Sequence, residues 1–228
     1  MRKIALIDLD KTLYNGYTLI DFILNYVIPN NLTSKKNVEA AKKLVNEFTN
    51  QTISYNDATA QGVALAGEIL KGRTVAEVKE WQFHFFNIEK IFPFAPQLLE
   101  KLKKNSFEIY IVSATVEPVV SHIANELGVQ SFSSQIETKD GIYTGKVLKL
   151  LNEEAKAEIV KQLEIGTIDL LSLGFGDSSG DLDLLKVVDH AFVLEPKESE
   201  VIKTAEKNQW HVVTRDTILP TVSAIIET

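Results

Sequence analysis

Three short polar clusters in this sequence could do chemistry together. Asp8-Leu9-Asp10-Lys11-Thr12 follows the apolar residues 4–7 directly, Ser113-Ala114-Thr115 follows residues 107–112, and Gly176-Asp177-Ser178-Ser179-Gly180-Asp181 follows residues 170–175. Two carboxylates one residue apart, just past a strand, reach one locus if the backbone turns. At such distances they repel, which raises one pKa. A protonated Asp beside an ionised one suits a nucleophile working with a general acid/base. Asp177 and Asp181 add two acids across a strand-to-helix turn. Four converging acids need a cation, and oxygen-only ligands favour Mg²⁺ over zinc. Magnesium keeps several waters and typically shares a phosphate with one or two carboxylates. The hydroxyls of Thr12 and Ser113, backbone N–H groups such as that of Ala114, and one lysine would hold that phosphate. Taken singly, each cluster also fits a solvated turn or a helix cap. Three of them on strand ends point to a site.

Such chemistry needs a frame that delivers three chain segments to one place. Residues 3–7 form a short apolar run ended by Asp8, the pattern of a buried strand in a parallel sheet. From Tyr17 to about Lys90 the spacing is helical, in Leu19, Ile23 and Val27, then Val38, Ala41, Leu44 and Phe48, then residues 63–70. Pro29, Thr33-Ser34 and Lys71-Gly72 punctuate the helices. From Ile91 onward, strands alternate with helices. Helices are expected over 96–104, 120–127, 152–163, 181–187 and 199–207, and strands over 107–112, 170–175, 191–194 and 210–213. A hairpin over 136–144 turns on Asp140-Gly141. The chain therefore reads as α/β, a Rossmann-like parallel sheet core over residues 1–15 and 91–228. A helical cap, residues 16–90, is inserted after the first strand. In open parallel sheets, ligands bind beyond the carboxyl ends of the strands, where all three clusters fall.

Composition narrows the class further. The 228 residues are 45% hydrophobic and 24% charged, ordinary for a soluble globular chain and enough to bury a core unaided. With no cysteine, disulfides, thiolate metal sites and a cysteine nucleophile are excluded. His84, His122, His190 and His211 show no metal-ligand spacing. A net charge of −7 argues against a nucleic-acid partner. It leaves room for a small phosphorylated metabolite, which needs only one or two local cations. No stretch approaches the roughly 20 apolar residues of a membrane span, and Asp8 ends the first apolar run too early for a signal peptide. A soluble, cytoplasmic protein without membrane insertion is expected.

Asp8-Leu9-Asp10-Lys11-Thr12-Leu13 resembles the D-x-D-x-T-L signature of haloacid dehalogenase-like phosphatases. Ile111-Val112-Ser113 resembles that family's second motif, and Gly176 to Asp181 its fourth. The third motif, a lone lysine before a helix, is best matched by Lys156, with Lys146 and Lys149 as competing assignments. The helical insert looks like the cap of the phosphoserine-phosphatase-like branch. The resemblance implies a Mg²⁺-dependent phosphatase of small-molecule phosphomonoesters. On that pattern Asp8 attacks phosphorus and forms an aspartyl-phosphate, while Asp10 protonates the leaving alkoxide and then activates water. Mg²⁺ would be held by Asp8, the Asp10 carbonyl and Asp177, with Asp181 binding directly or through a metal water. Ser113, Ala114 and Lys156 would meet the phosphoryl oxygens, and Thr12 would support the loop. Asp10-Lys11-Thr12 also resembles the phosphorylation site of transport ATPases, which would make Asp10 the nucleophile. Asp8, at the end of the apolar run, stands where this family's nucleophile belongs.

The same resemblance bears on substrate. Phosphoserine phosphatases carry a glutamate about nine residues after the nucleophile, where this chain has Tyr17, and a cap arginine for the carboxylate. The one arginine between residues 3 and 214 is Arg73, which reads as a charge at a helix end. Both points argue against phosphoserine. Tyr14, Tyr17, Phe22 and Tyr26 are candidates for an apolar substrate slot or for cap core, core being the commoner role at helical spacing. Trp81, Phe83, Phe85 and Phe86 read as core, and His84 as an incidental polar residue. Two other outcomes share these residues: a phosphotransferase or phosphomutase with the same nucleophile, and a non-catalytic phosphate-sensing binding module.

Overall fold

The computed structural model describes residues 2–163, 165 and 169–227. The core segment expected over 91–228 thus includes residues 164, 166–168 and 228, which lie outside the described residues. The strands are β1 (Arg2–Ile7), β2 (Glu108–Val116), β3 (Gln130–Lys139), β4 (Ile142–Lys149), β5 (Leu170–Gly176), β6 (His190–Leu194) and β7 (His211–Val213). They form one sheet of order β4-β3-β2-β1-β5-β6-β7, parallel except for the β3–β4 hairpin. This is the mixed α/β, Rossmann-like arrangement that the alternating pattern predicts.

β1 is apolar without alternation because it is covered on both faces. Ile4 and Leu6 pack on one side with Val112 and with α7 (Glu153–Gln162), α8 (Leu182–Leu185) and α9 (Ser199–Lys207). Ala5 and Ile7 pack on the other with α5 (Phe94–Lys104), α6 (Glu117–Glu126) and α10 (Ile218–Ile226). Successive side chains on a strand point to opposite faces, so one short run serves two cores. The chain leaves β1 for β2 on one side and later returns to β5 on the other. The carboxyl end of β1 is therefore the switch point of the sheet, where a crevice opens.

Between β1 and α5 come α1 (Thr18–Asp21), a π-helical turn (Phe22–Val27), α2 (Lys35–Thr49), α3 (Tyr55–Leu70) and α4 (Val75–Phe85). The three longer helices start on hydroxyl caps: Ser34, Ser54 and Thr74 accept from the N–H groups of Asn37, Asp57 and Glu77. Thr74 and Glu77 complete a reciprocal capping box, which satisfies two helix-end donors together. This insert is fastened to the β3–β4 hairpin by backbone. Gly72 N–H donates to Tyr143 O, Tyr143 N–H to Arg73 O, and Val75 N–H to Gly141 O, at 2.8, 2.9 and 2.9 Å. A Cβ on Gly67 of α3 would collide with the Gly145 carbonyl oxygen, so helix and strand meet at a distance only glycine permits.

The structure departs from the sequence reading in several places, the first being that β4 runs on past Thr144 to Lys149. β2 continues past Ser113 to Val116, with a register irregularity against β3 at that point. The first half of β3 pairs parallel with β2, whereas only its hairpin half is expected from pattern. α10 is an additional helix. Phe83, expected in the core, is 71% exposed, because Val78, Trp81 and Gln82 form the buried face of α4 and Phe83 lies opposite.

Candidate active site

Strand register sets the site. Ile7 lies level with Ile111 of β2 and with Phe175 of β5. The next residues on each strand, Asp8, Val112-Ser113 and Gly176-Asp177, therefore come to the same edge of the sheet. Asp8 extends the ladder by one bond, its N–H donating to Phe175 O at 2.9 Å. After Asp8 the chain folds over the buried Leu9, whose carbonyl accepts from Leu13 and Tyr14 at 2.9 and 2.8 Å. Lys11 adopts φ 66° in this turn.

Lys156 lies at the centre of the cluster. Its ammonium donates to Asp8 Oδ1 at 3.0 Å and to Asp181 Oδ1 at 2.6 Å, and its residue is 1% exposed. The other Asp181 oxygen accepts from the N–H groups of Asp177 and Ser178 and from the Ser178 hydroxyl, at 3.2, 3.3 and 3.2 Å. Gly176 makes room for this, since a Cβ there would stand 2.6–2.7 Å from Asp181 side-chain atoms. Of the three lysines considered, Lys146 instead pairs with Glu137 at 3.7 Å on the surface. Lys149 lies on β4 opposite Gln135.

Asp8, Asp177 and Asp181 each present a carboxylate oxygen within 4.8 Å of the others. Burial, then the Asp181 charge, pushes Asp8 up to about 8 and Asp177 up to about 9. Burial alone would lower Lys156, but Asp181 and Asp8 hold its ammonium well above the usual lysine range. Once deprotonated, as metal binding requires, three carboxylates against one ammonium carry two net negative charges. The donor set is all oxygen, hard and doubly negative, which fits a divalent cation of the Mg²⁺ type.

Asp10 belongs to a second network. Its Oδ1 accepts the Thr18 N–H at 2.8 Å and its Oδ2 the Thr115 hydroxyl at 3.3 Å, while the Thr18 and Thr115 hydroxyls lie 3.1 Å apart. Burial pushes Asp10 up, with the Thr18 N–H opposing. Ser113 is buried, and its Oγ accepts the Thr115 N–H at 3.2 Å. The Ala114 carbonyl is fixed by the Ser134 hydroxyl at 2.7 Å, and that hydroxyl also accepts Leu151 N–H at 2.9 Å. The Thr12 hydroxyl is buried without a partner among the described residues.

Sequence reasoning missed Thr18, Tyr55 and Ser134. Nothing in their spacing connects them to the three clusters; the folded insert brings Thr18 and Tyr55 there, and the parallel half of β3 brings Ser134 to Ala114. Tyr55, at the start of α3, packs so closely on Gly180 that a Cβ there would lie 2.6 Å from its ring. Burial, with the neighbouring carboxylates, raises its phenol above the ordinary tyrosine range despite an opposing effect of Lys156. The insert thus touches the loop that carries Asp177 and Asp181.

The aromatics divide. Tyr14 is buried, its hydroxyl donating to Asp21 at 2.9 Å. Phe22 is buried between Tyr26 and Phe85 at 6.1 and 5.3 Å. Tyr17 instead borders a cavity of about 90 Å³ that runs from Asp10 and Thr115 up between the helices of the insert. Arg73 lies away from this space, over the Trp81 ring and donating to Leu32 O at 3.1 Å.

The family model of haloacid dehalogenase-like hydrolases matches residues 5–186. The chain belongs to the haloacid dehalogenase-like hydrolases. Among solved structures, a protein of unknown function from Bordetella pertussis Tohama I is similar at TM-score 0.79 and 21% identity, over 94% of this chain and 99% of that one. A phosphoserine phosphatase carrying a phospho-aspartyl intermediate analogue is similar at 0.59 and 22%, over 93% and 92% of the chains. A substrate-bound phosphoserine phosphatase gives 0.61 and 20%, over 94% and 92%. These likenesses are likenesses of fold. No protein of curated function matches the sequence. Among the described residues no helix of this hydrolase is long and apolar enough to cross a membrane.

Proposed function

We propose that this hydrolase is a Mg²⁺-dependent phosphatase that cleaves a small-molecule phosphomonoester through a phosphoenzyme on Asp8. The observation that carries this reading is the division between two neighbouring carboxylates. Asp8 is bound by the Lys156 ammonium beside Asp177 and Asp181, whereas Asp10 is bound by the neutral donors of Thr18 and Thr115. The Lys156 ammonium opposes the rise that burial and the Asp181 charge impose on Asp8, and a divalent cation bound among these acids would displace its proton. Asp10 has no cation bonded to it among the described residues, and burial is the largest effect on it.

Asp8 is accordingly assigned the attack on phosphorus. Its oxygen forms the new P–O bond as the ester P–O bond breaks, and Asp10 gives its proton to the leaving alkoxide. In the second half, Asp10 takes a proton from water as the water oxygen attacks phosphorus. The Asp8–phosphorus bond then breaks, which releases phosphate and restores the carboxylate. Mg²⁺ held by Asp8, Asp177 and Asp181, with the Asp10 carbonyl, supplies positive charge against the phosphoryl oxygens. Lys156, Ser113 and the backbone at Ala114 are assigned to the same oxygens, and Thr12 to the loop that presents them.

Residues 16–90 are assigned as the cap over a core of 1–15 and 91–228. The partner is a small phosphorylated metabolite, in keeping with the charge of −7. Phosphate release from a panel of phosphomonoesters, with Mg²⁺ and then with chelator, tests the reading. Release that depends on Mg²⁺ is expected. Silence across the panel from folded protein overturns it in favour of a phosphotransferase or a phosphate-binding module.

A further inference from the structure

The cavity beside Asp10 has a composition that restricts what the phosphate can be attached to. Its floor is Asp10, Ala114 and Thr115, and its walls are residues of α1 to α3 and the π-helical turn, among them Tyr17, Leu24, Leu44, Val45, Phe48 and Val63. Among the described residues, Asp10 is the one charged residue that lines it. Lys11, the nearest cation in sequence, is outside the lining and holds its ammonium over the Tyr17 ring at 5.1 Å.

We infer that this cavity takes the leaving group of the substrate, and that the substrate is the phosphomonoester of a small, uncharged, apolar alcohol, alkyl or aryl. The inference rests on the reading of Asp10 as the acid that protonates the leaving oxygen. That oxygen then sits at Asp10, so the carbon bonded to it starts at the cavity floor and the rest of the group has the apolar walls ahead of it. An amino acid ester brings an ammonium and a carboxylate into the same space. Among the described residues the walls offer neither of them an oppositely charged partner, only the polar residues Tyr17, Tyr55 and Thr59, and a buried charge without an opposite one is strongly disfavoured. Apolar carbon is favoured there, each buried methylene by about fourfold in affinity. A cavity of about 90 Å³ is smaller than the roughly 150 Å³ of an engineered cavity that holds benzene. It therefore suits a chain of a few carbons or part of one ring.

The test is a ladder of straight-chain monoalkyl phosphates from methyl to hexyl, run with Mg²⁺ beside phosphoserine and phosphoethanolamine. In parallel, binding of the matching alkylphosphonates, which cannot be hydrolysed at phosphorus–carbon, is measured by calorimetry. We expect kcat/KM to rise roughly three- to fourfold per methylene and then level off. Phosphonate affinity should climb the same way, and phosphoserine should fall at least about tenfold below butyl phosphate. Val45→Phe, which fills the cavity, should bring the plateau to shorter chains, and Val45→Ala should move it to longer ones, each with thermal unfolding checked. A flat ladder, or phosphoserine ahead of the alkyl esters, overturns the inference while leaving the phosphatase reading in place. Phosphonate affinity that climbs with chain length in a protein that turns over no ester supports the apolar pocket and sinks the phosphatase reading instead.

Discussion

Lys156 is the residue on which the electrostatics of the site turn. It neutralises part of the charge of Asp8 and Asp181 from a buried position. Removing one partner of such a cluster leaves the others buried and uncompensated, which typically costs about 3–5 kcal/mol. Lys156→Ala is therefore expected to lower both the denaturant midpoint and phosphate release, whereas Lys146→Ala, at an exposed pair with Glu137, should stay within about 0.5 kcal/mol of the parent. Equal effects from the two substitutions would contradict the geometry. In sequence, Lys156 is one of several lysines between the hairpin and β5, so spacing alone left Lys146 and Lys149 in contention. The acids are legible because each follows an apolar run directly. Thr18 and Thr115, which hold Asp10, are not equally so: Thr115 stands in a visible cluster, while Thr18 reaches Asp10 only because the chain turns back after Gly16.

At the scale of elements, the strands beside the crevice were readable, being short, apolar and buried on both faces. The first half of β3 was not, because its sequence Gln-Ser-Phe-Ser-Ser offers no apolar run toward the sheet edge. α10 escaped for the opposite reason: Ile, Val and Thr dominate it and Pro220 stands in its first turn, where a missing N–H is tolerated. The hairpin has a role that pattern does not announce, since it is the surface on which the insert is fastened. That role depends on Gly67 lying against the Gly145 carbonyl. Gly67→Ala should cost about 1–3 kcal/mol through forced displacement of α3, although alanine is the better helix former. An unchanged or raised midpoint in chemical denaturation would show that α3 docks less tightly than described.

For the molecule as a whole, the acidic cluster links stability, protons and metal. Asp8 and Asp177 have pKa values near 8 and 9 in the metal-free fold, against about 3.9 for an unfolded chain. A raised carboxyl pKa adds stability that is fully present below the unfolded value and is lost as pH climbs through the folded one. Metal-free protein should thus melt at progressively lower temperature from about pH 4 to about pH 9. Mg²⁺ competes with the protons, so its affinity, and the Tm increase it gives, should grow over the same range. A Tm in chelator that does not change with pH, or a Mg²⁺ effect largest at low pH, would contradict this coupling.

The central claim is that Asp8 carries the phosphoryl group while Asp10 manages the proton. The most direct test is to quench the enzyme with acid during turnover of a competent phosphomonoester and locate any phosphoryl adduct by peptide mass spectrometry, in the parent, Asp8→Asn and Asp10→Asn. The account predicts an adduct on Asp8 in the parent, none in Asp8→Asn, and slow but Asp8-borne labelling in Asp10→Asn with metal binding kept. An adduct on Asp10, or sustained phosphate release by Asp8→Asn, would contradict it.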